Sequence, residues 1–272
     1  MSKLGTDSAK PKDDSDDPLL LTHPEAKGET SLDVEEGLMT SFDDLLSKAG
    51  TGVYQYRAFF FIGLVIMFDG AEAIVLSLLV SILKKEWSGS VDTMSLMGSC
   101  VFLGLLLGSI GAGRISDRLG RRRPLVYTVL GQYAAATMCA LVGSFPSLIF
   151  VRSLLGFFQG FQVPLSSSYL SEIIPKEVRG KYIVSIGIIY AIGQLLTCVL
   201  GFFTLESTEA GNWRLLLLLV AQPCLVGWLG IYKLMDESPR YDMMVEKNIE
   251  KGLNTLKKIA QINGKDLKFT EQ

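Results

Sequence analysis

Histidine is almost missing from this 272-residue chain: there is one, His23, in a polar N-terminal stretch where it reads as a solvated side chain. With it goes most chemistry that needs an imidazole base or ligand. Cysteine is sparse as well. Cys100, Cys139, Cys198 and Cys224 each fall inside an apolar run, and none has metal-ligand spacing. They are expected to pack as small apolar groups, with no metal and no cofactor. No nucleophile–base pair or phosphate-cradling glycine loop is present, so nothing supports an enzyme. No basic stripe with interleaved aromatics accompanies the net charge of −2, so nucleic acid is not an expected partner. The first 40 residues lack an apolar core, and no secretory leader is expected there. Charge itself is scarce from Ala58 to Leu234, where it is confined to short clusters.

What fills that stretch is apolar. Six runs are each long enough to cross a bilayer as a helix, which takes about 20 residues. They cover about Ala58–Leu83, Met94–Gly113, Pro124–Ser144, Leu148–Ile174, Tyr182–Phe203 and Leu215–Leu234. Continuous rather than alternating apolarity excludes a β-barrel, and an open sheet would leave backbone groups unpaired in lipid. The expected fold is an all-α membrane protein of six transmembrane helices. Residues 1–50 are expected to be a disordered acidic tail, too polar to offset the entropy of ordering. Within that range Ser41–Lys48 has the pattern of a short amphipathic helix, and Asp16-Asp17-Pro18-Leu19-Leu20-Leu21 resembles an acidic dileucine sorting signal. Residues 51–240 form the membrane domain, and 241–272 form a helical segment, with Leu253, Leu256, Ile259 and Ile262 set among lysines over Glu246–Gly264 as in a surface-lying helix. The basic loops carrying Arg114, Arg118 and Arg121–Arg123, and Lys176, Arg179 and Lys181, fall on one side, so that side and both termini are expected to be cytoplasmic.

One motif exceeds what topology requires. Gly113-Arg114-Ile115-Ser116-Asp117-Arg118-Leu119-Gly120-Arg121-Arg122-Arg123 places two glycines and an acid among arginines between runs two and three. The glycines are expected to permit a tight turn there. Asp117 is expected to accept hydrogen bonds from arginines or from a helix N-terminus. The spacing resembles the loop signature of the major facilitator superfamily, and the resemblance implies a loop that braces two six-helix halves at the cytoplasmic side. Run four reads Arg152-x3-Gly156-x3-Gly160-x3-Pro164-x4-Tyr169-x2-Glu172-x2-Pro175-x3-Arg179-Gly180, and Glu237-Ser238-Pro239-Arg240-Tyr241 follows run six. The latter is similar to the Pro-Glu-Ser-Pro-Arg element of the sugar-porter-like branch, with Asp236 in place of the first proline. Tyr54-Gln55-Tyr56-Arg57 and Met67-Phe68-Asp69-Gly70-Ala71-Glu72 resemble the synaptic-vesicle-protein-related transporters within that branch. The resemblance, over about Tyr54–Gly264, implies the N-terminal half of a facilitator fold. It also implies a gate network of Gly113, Asp117, Arg118, Gly120, Arg121, Arg122, Glu172, Arg179, Glu237 and Arg240, the alternative being ordinary surface ion pairs.

Asp69 and Glu72 fall at mid-membrane, i and i+3 on one helix face. An acid there costs roughly 2.5–3.5 kcal/mol on insertion scales, which calls for a water-filled cavity, a cationic partner or a proton. Either acid is a candidate to bind a proton, sodium or a substrate cation. Otherwise both are buried structural groups paired with Arg152, Gln159 or Gln194. Arg152, near the outer end of run four, either snorkels outward or pairs with one of them. Gln159, Gln162, Tyr190 and Gln194 are candidate cavity-lining groups. Together these residues point to transport of a small organic solute, an organic ion or sugar-like molecule, by alternating access, with proton or sodium as candidate coupling ion. The membrane would be the plasma membrane or a vesicle or endolysosomal membrane, and a second six-helix half would be needed in cis or in trans. The competing reading is a non-transporting membrane receptor or regulator that keeps the fold, with the acidic tail as its working part.

Overall fold

The computed structural model describes residues 42–87, 91–207 and 210–265. Helix α1 covers residues 42–49. It matches the short amphipathic helix read at Ser41–Lys48, and so corrects the expectation of disorder over residues 1–50 at those positions. The rest of the tail, with the dileucine pattern, lies outside the described residues. Six membrane spans follow. They are α2 (Val53–Glu86), α3 (Val91–Leu119), α4 (Arg122–Leu141), α5 (Phe145–Ile173), α6 (Lys176–Thr204), and a sixth made of α7 (Trp213–Val220) and α8 (Gln222–Leu234). α9 (Pro239–Met244) and α10 (Ile249–Ile262) close the chain's described part.

Three boundaries differ from expectation, each for a local reason. The sixth span is not one helix: it breaks at Ala221, where Pro223 enters α8 without a backbone N–H to continue the ladder. A short antiparallel ribbon, β1 (Leu205–Ser207) with β2 (Ala210–Gly211), connects spans five and six, where a plain loop was expected. The arginine motif is mostly helix rather than loop. Gly113 to Leu119 form the last turns of α3, and the reversal is made at Gly120 alone, at φ +88°. A Cβ at Gly120 would also come within 2.5 Å of a Glu237 carboxylate oxygen. Gly113 has open space around it and takes no part in the turn.

The packing has an internal symmetry. Span two packs chiefly on span four, span one on span five, span three on span four and span one on span six. Exchanging spans 1, 2, 3 with spans 4, 5, 6 maps that set onto itself, as expected of two three-helix repeats. The span 2–4 crossing is a close one. Gly156 and Gly160 of α5 meet Gly104 and Gly108 of α3, so that a Cβ on any of the four would run into a carbonyl oxygen of the other helix. Small residues of this kind let helix backbones approach closely in a bilayer, where van der Waals packing drives association. The stripe Arg152-x3-Gly156-x3-Gly160 is therefore a packing face, as its spacing predicts, but its partner glycines on α3 escape notice in sequence.

At one end of the bundle lie the start of α2, the α3–α4 turn, the end of α5, and helices α1, α9 and α10. This is the charged end. Phe42, Leu45 and Leu46 of α1 form a small core with Met243 of α9 and Leu256 of α10, separate from the membrane core. The apolar face of α10, read from sequence as surface-lying, is thus covered by the protein itself: Leu256, Ile259 and Ala260 are fully buried. At the opposite end Trp87 packs edge-on against Phe145 and Trp213, and the Trp213 indole donates to Glu86 at 2.7 Å. α3 and α6 bury the least of their apolar windows and present long apolar faces outward.

Candidate functional site

Asp69 sits halfway along α2, about 24 Å from one end and 26 Å from the other at 1.5 Å per residue. Helical spacing points it and Glu72 the same way, into the bundle, where they are 3% and 6% exposed. Sequence alone treats the two acids as equivalent. Tertiary structure separates them. Glu72 is ion-paired with Arg152 of α5, itself 2% exposed. Arg152 does not snorkel to the outer surface; it turns inward to neutralise one acid. Asp69 receives no arginine. Its Oδ1 accepts a hydrogen bond from the Gln132 side-chain amide at 2.6 Å. Among the described residues its Oδ2 has no hydrogen-bond partner, and neither have Gln132 Oε1 nor Arg152 Nε and Nη2. A cluster of buried polar atoms with spare donors and acceptors is unusual in a packed core and marks a place where water, an ion or a solute group fits.

Gln132, on α4 and fully buried, is the candidate site residue that sequence reasoning missed. The available signal was a glutamine in the middle of a span whose polar amide needs a buried partner. Of the expected neighbours, Gln159 is half-buried and lies beside the Asp69 carboxyl group. Gln194 is half-buried on α6 and is not brought into hydrogen bonding with either acid. Gln162 donates to Ser166 Oγ at 2.7 Å instead. Tyr190 is more than a third exposed on α6, with its backbone against Gly70 of α2.

The second cluster lies at the charged end. A helix N-terminus leaves unpaired amides and a C-terminus unpaired carbonyls. At the α3–α4 turn both are answered from the segment after span six. Glu237 Oε1 accepts from the backbone amides of Arg121 at 2.7 Å and Arg122 at 2.9 Å, so it caps α4. The Tyr241 hydroxyl donates to the Arg118 carbonyl at 3.0 Å, at the end of α3. The helix-capping role considered for Asp117 therefore belongs to Glu237. Asp117 takes the other expected role: its Oδ1 accepts from Arg121 Nη1 at 2.8 Å. Arg121 also donates to Glu172 Oε1 at 3.0 Å and Ser116 Oγ at 2.6 Å, and lies over the Tyr241 ring at 5.7 Å. Burial lowers its affinity for protons, but the Glu172 and Asp117 carboxylates more than offset that, and its pKa stands above the ordinary arginine value. Arg122 donates to the Tyr232 carbonyl at 2.6 Å. Arg179 points to the Ile174 carbonyl at 3.3 Å rather than to Glu172, so it does not join the cluster as expected. Arg240 is the second residue of α9.

Glu237→Ala should cost about 0.5–2 kcal/mol, the usual range for losing a helix cap. Thermal unfolding in detergent measures this. An unchanged melting temperature would mean that water caps α4 equally well.

A third set of bonds ties three elements at the same end. Tyr54 and Tyr169 hydroxyls lie 3.1 Å apart, and Tyr169 donates to the Asp236 carbonyl at 2.8 Å. The tyrosine in Pro164-x4-Tyr169 thus anchors the segment that carries Glu237.

Residues 46–272 match the family described as "Sugar (and other) transporter". The chain is 33% identical over 225 residues to the putative transporter svop-1 of Caenorhabditis elegans, covering 81% of this chain and 41% of that protein. It is 34% identical over 222 residues to the synaptic vesicle 2-related protein of Bos taurus, covering 82% and 39%. With human synaptic vesicle glycoprotein 2B the identity is 28% over 229 residues, covering 80% and 33%. The chain therefore spans roughly a third to two fifths of the length of these relatives. Among solved structures, the proton:xylose symporter XylE bound to 6-bromo-6-deoxy-D-glucose matches with a TM-score of 0.67 at 22% identity, over 76% of this chain and 50% of that one. A partially occluded inward-open form of XylE from E. coli gives 0.67 at 21%, over 78% and 56%. At that identity the likeness bears on fold, and it extends to about half of the XylE chain.

Proposed function

This chain belongs to the sugar (and other) transporter family, within the major facilitator superfamily, and on that premise we propose that it forms one six-helix wall of a solute pathway. It works by alternating access against a second six-helix unit, in the same chain or another. The solute is a small organic molecule, an organic ion or sugar-like, and the step is coupled to a proton or a small cation. The charged end faces the cytoplasm, as its arginines favour.

The observation that carries this reading is the unequal treatment of the two core acids. Glu72 has a cation in Arg152. Asp69, about one turn away, has no cation among the described residues; its Oδ1 takes the neutral Gln132 amide and its Oδ2 has no hydrogen-bond partner there. A carboxylate in that setting is most stable when it takes up a proton or a cation. Asp69 is therefore the exchangeable site, and the Glu72–Arg152 pair is the fixed charge beside it. Gln132 and Gln159 set the orientation of the Asp69 carboxyl group. The outward apolar faces of α3 and α6 suit either lipid or a second bundle. The relative XylE is described as a proton:xylose symporter, which supports the proton as coupling ion.

The test is solute-driven proton movement in proteoliposomes holding this chain with its second six-helix unit. A pH-sensitive dye inside the vesicles reads it across a panel of sugars, organic cations and organic anions. Asp69→Asn should reduce coupled uptake by about 100-fold or more, from the lower end upward of the range expected when a required proton-transfer group is removed. Insertion into the membrane should be retained. Normal coupled uptake by Asp69→Asn would overturn the assignment. A protein that moves no solute while binding a partner through its acidic tail would favour the receptor reading.

A further inference from the structure

We propose that α1 is a strap whose docking on α9 and α10 holds the arginine cluster closed, so that releasing α1 loosens the contacts of Glu237 and Tyr241 with the α3–α4 turn. This stands on contacts at the charged end and does not depend on the role of Asp69.

The strap is built for one place. Eight residues cannot form a stable helix alone in water, so α1 exists because something covers its apolar face. Phe42, Leu45 and Leu46, at 1–2% exposure, are covered by Met243 and Leu256. Asp43 is paired with Lys176, at the start of α6, at 2.6 Å, and Ser47 donates to Glu177 at 3.3 Å. Gly50, at φ +65°, ends α1, and three residues later α2 begins.

Asn263 locks the junction. It caps the C-terminus of α10, and its side-chain amide donates to the Gly50 carbonyl at 3.0 Å and to Gln55 Oε1 at 2.9 Å. Its Oδ1 accepts from the Tyr54 backbone amide at 3.1 Å. Gln55, fully buried, donates onward to the Ile173 carbonyl at the end of α5, at 3.2 Å. One asparagine thus joins α1, α2 and α10, and through Gln55 reaches α5.

The link to the arginine cluster runs through α9. Met243 is gripped between the α1 leucines and Gly252, where a Cβ on the glycine would collide with the Met243 side chain. Two residues before Met243 is Tyr241, which holds the end of α3, and two residues before α9 is Glu237, which caps α4. A helix of six residues has no internal slack to absorb movement. Loss of α1 removes the outer support of Met243 and lets α9 shift with both capping groups.

The coupling has a direct readout. The Arg121 and Arg122 amides lie at a helix start, where no intrahelical carbonyl protects them from exchange; Glu237 does. Hydrogen–deuterium exchange is measured on the intact chain in lipid nanodiscs, comparing the native sequence with Leu45→Ser/Leu46→Ser. The expected result is free exchange throughout residues 42–49 and about tenfold faster exchange at Arg121 and Arg122, with α2 to α6 at mid-membrane unchanged. Asp43→Lys, which places like charges at the α1–α6 contact, is the milder variant should the double change disturb the whole bundle. It should accelerate the same two amides roughly two- to fivefold, in keeping with the small worth of exposed pairs. Adding Lys176→Asp should restore protection, which general destabilisation would not do. Free exchange of α1 with undisturbed Arg121 and Arg122 amides overturns the proposal. So does a charge swap that fails to restore them.

Discussion

Arg152→Leu, with Glu72 left in place, should lower the stability of the bundle by about 3–5 kcal/mol, the cost of leaving one member of a buried ion pair without its partner. Glu72→Leu alone should cost a similar amount. Replacing both together should cost far less than the sum, because two buried charges leave at once and apolar side chains take their space. The pair is nearly sealed from bulk solvent, at 2% and 6% side-chain exposure, so the survivor loses most of the solvation that bulk water would give it. Among the described residues Arg152 Nε and Nη2 have no hydrogen-bond partner. Thermal unfolding of the detergent-solubilised protein, followed by tryptophan fluorescence, gives the cycle. Strictly additive losses would show that the two side chains do not act as a pair. The double variant should also lack coupled transport, since its stability returns without the fixed charge next to Asp69.

The second large effect concerns glycine at a helix crossing. Gly160→Leu should prevent α3 and α5 from packing and abolish recovery of folded protein. Gly160→Ala should cost about 1–3 kcal/mol, the range for overpacking a tight core. The reason is local: a Cβ at Gly160 would overlap the Leu105 carbonyl oxygen, and backbone cannot move aside as a flexible side chain can. Gly113→Ala is the control. Gly113 lies in an exposed turn of α3 with nothing near its missing Cβ. Alanine there should be neutral or stabilise by about 0.5–1 kcal/mol through helix propensity. Melting temperatures of Gly113→Ala and Gly160→Ala measured side by side decide the matter. Equal destabilisation would mean that close helix contact is not what sets the two positions apart.

These two experiments bear on what could be read in advance. The number and order of the spans were legible, because a bilayer demands about 20 apolar residues per crossing and leaves little freedom in how the demand is met. So were the short helix before span one and the amphipathic segment after span six, since both show helical periodicity at the right length. The family was legible in the arginine motif and in Glu237-Ser238-Pro239-Arg240, and the match over residues 46–272 bears it out. Break points inside elements were harder. Ala221 and Pro223 interrupt a run whose hydropathy is continuous, and the motif residues Gly113 to Leu119 continue a helix past its apolar end.

The site shows the division most clearly. Sequence determined that two acids and one arginine lie inside the membrane on helices, because residue type and depth are local properties. It could not determine which acid receives the arginine. That choice depends on the rotation and approach of α5 against α2, which the packing of several helices sets together. Nor could it identify Gln132 as the partner of Asp69, or Glu237 as the cap of α4, each more than 60 residues from its partner. Contacts of that range arise only when distant segments are brought to the same place. Tertiary structure alone therefore decided that Glu72 is the acid paired with Arg152 and Asp69 the one facing the neutral Gln132 amide.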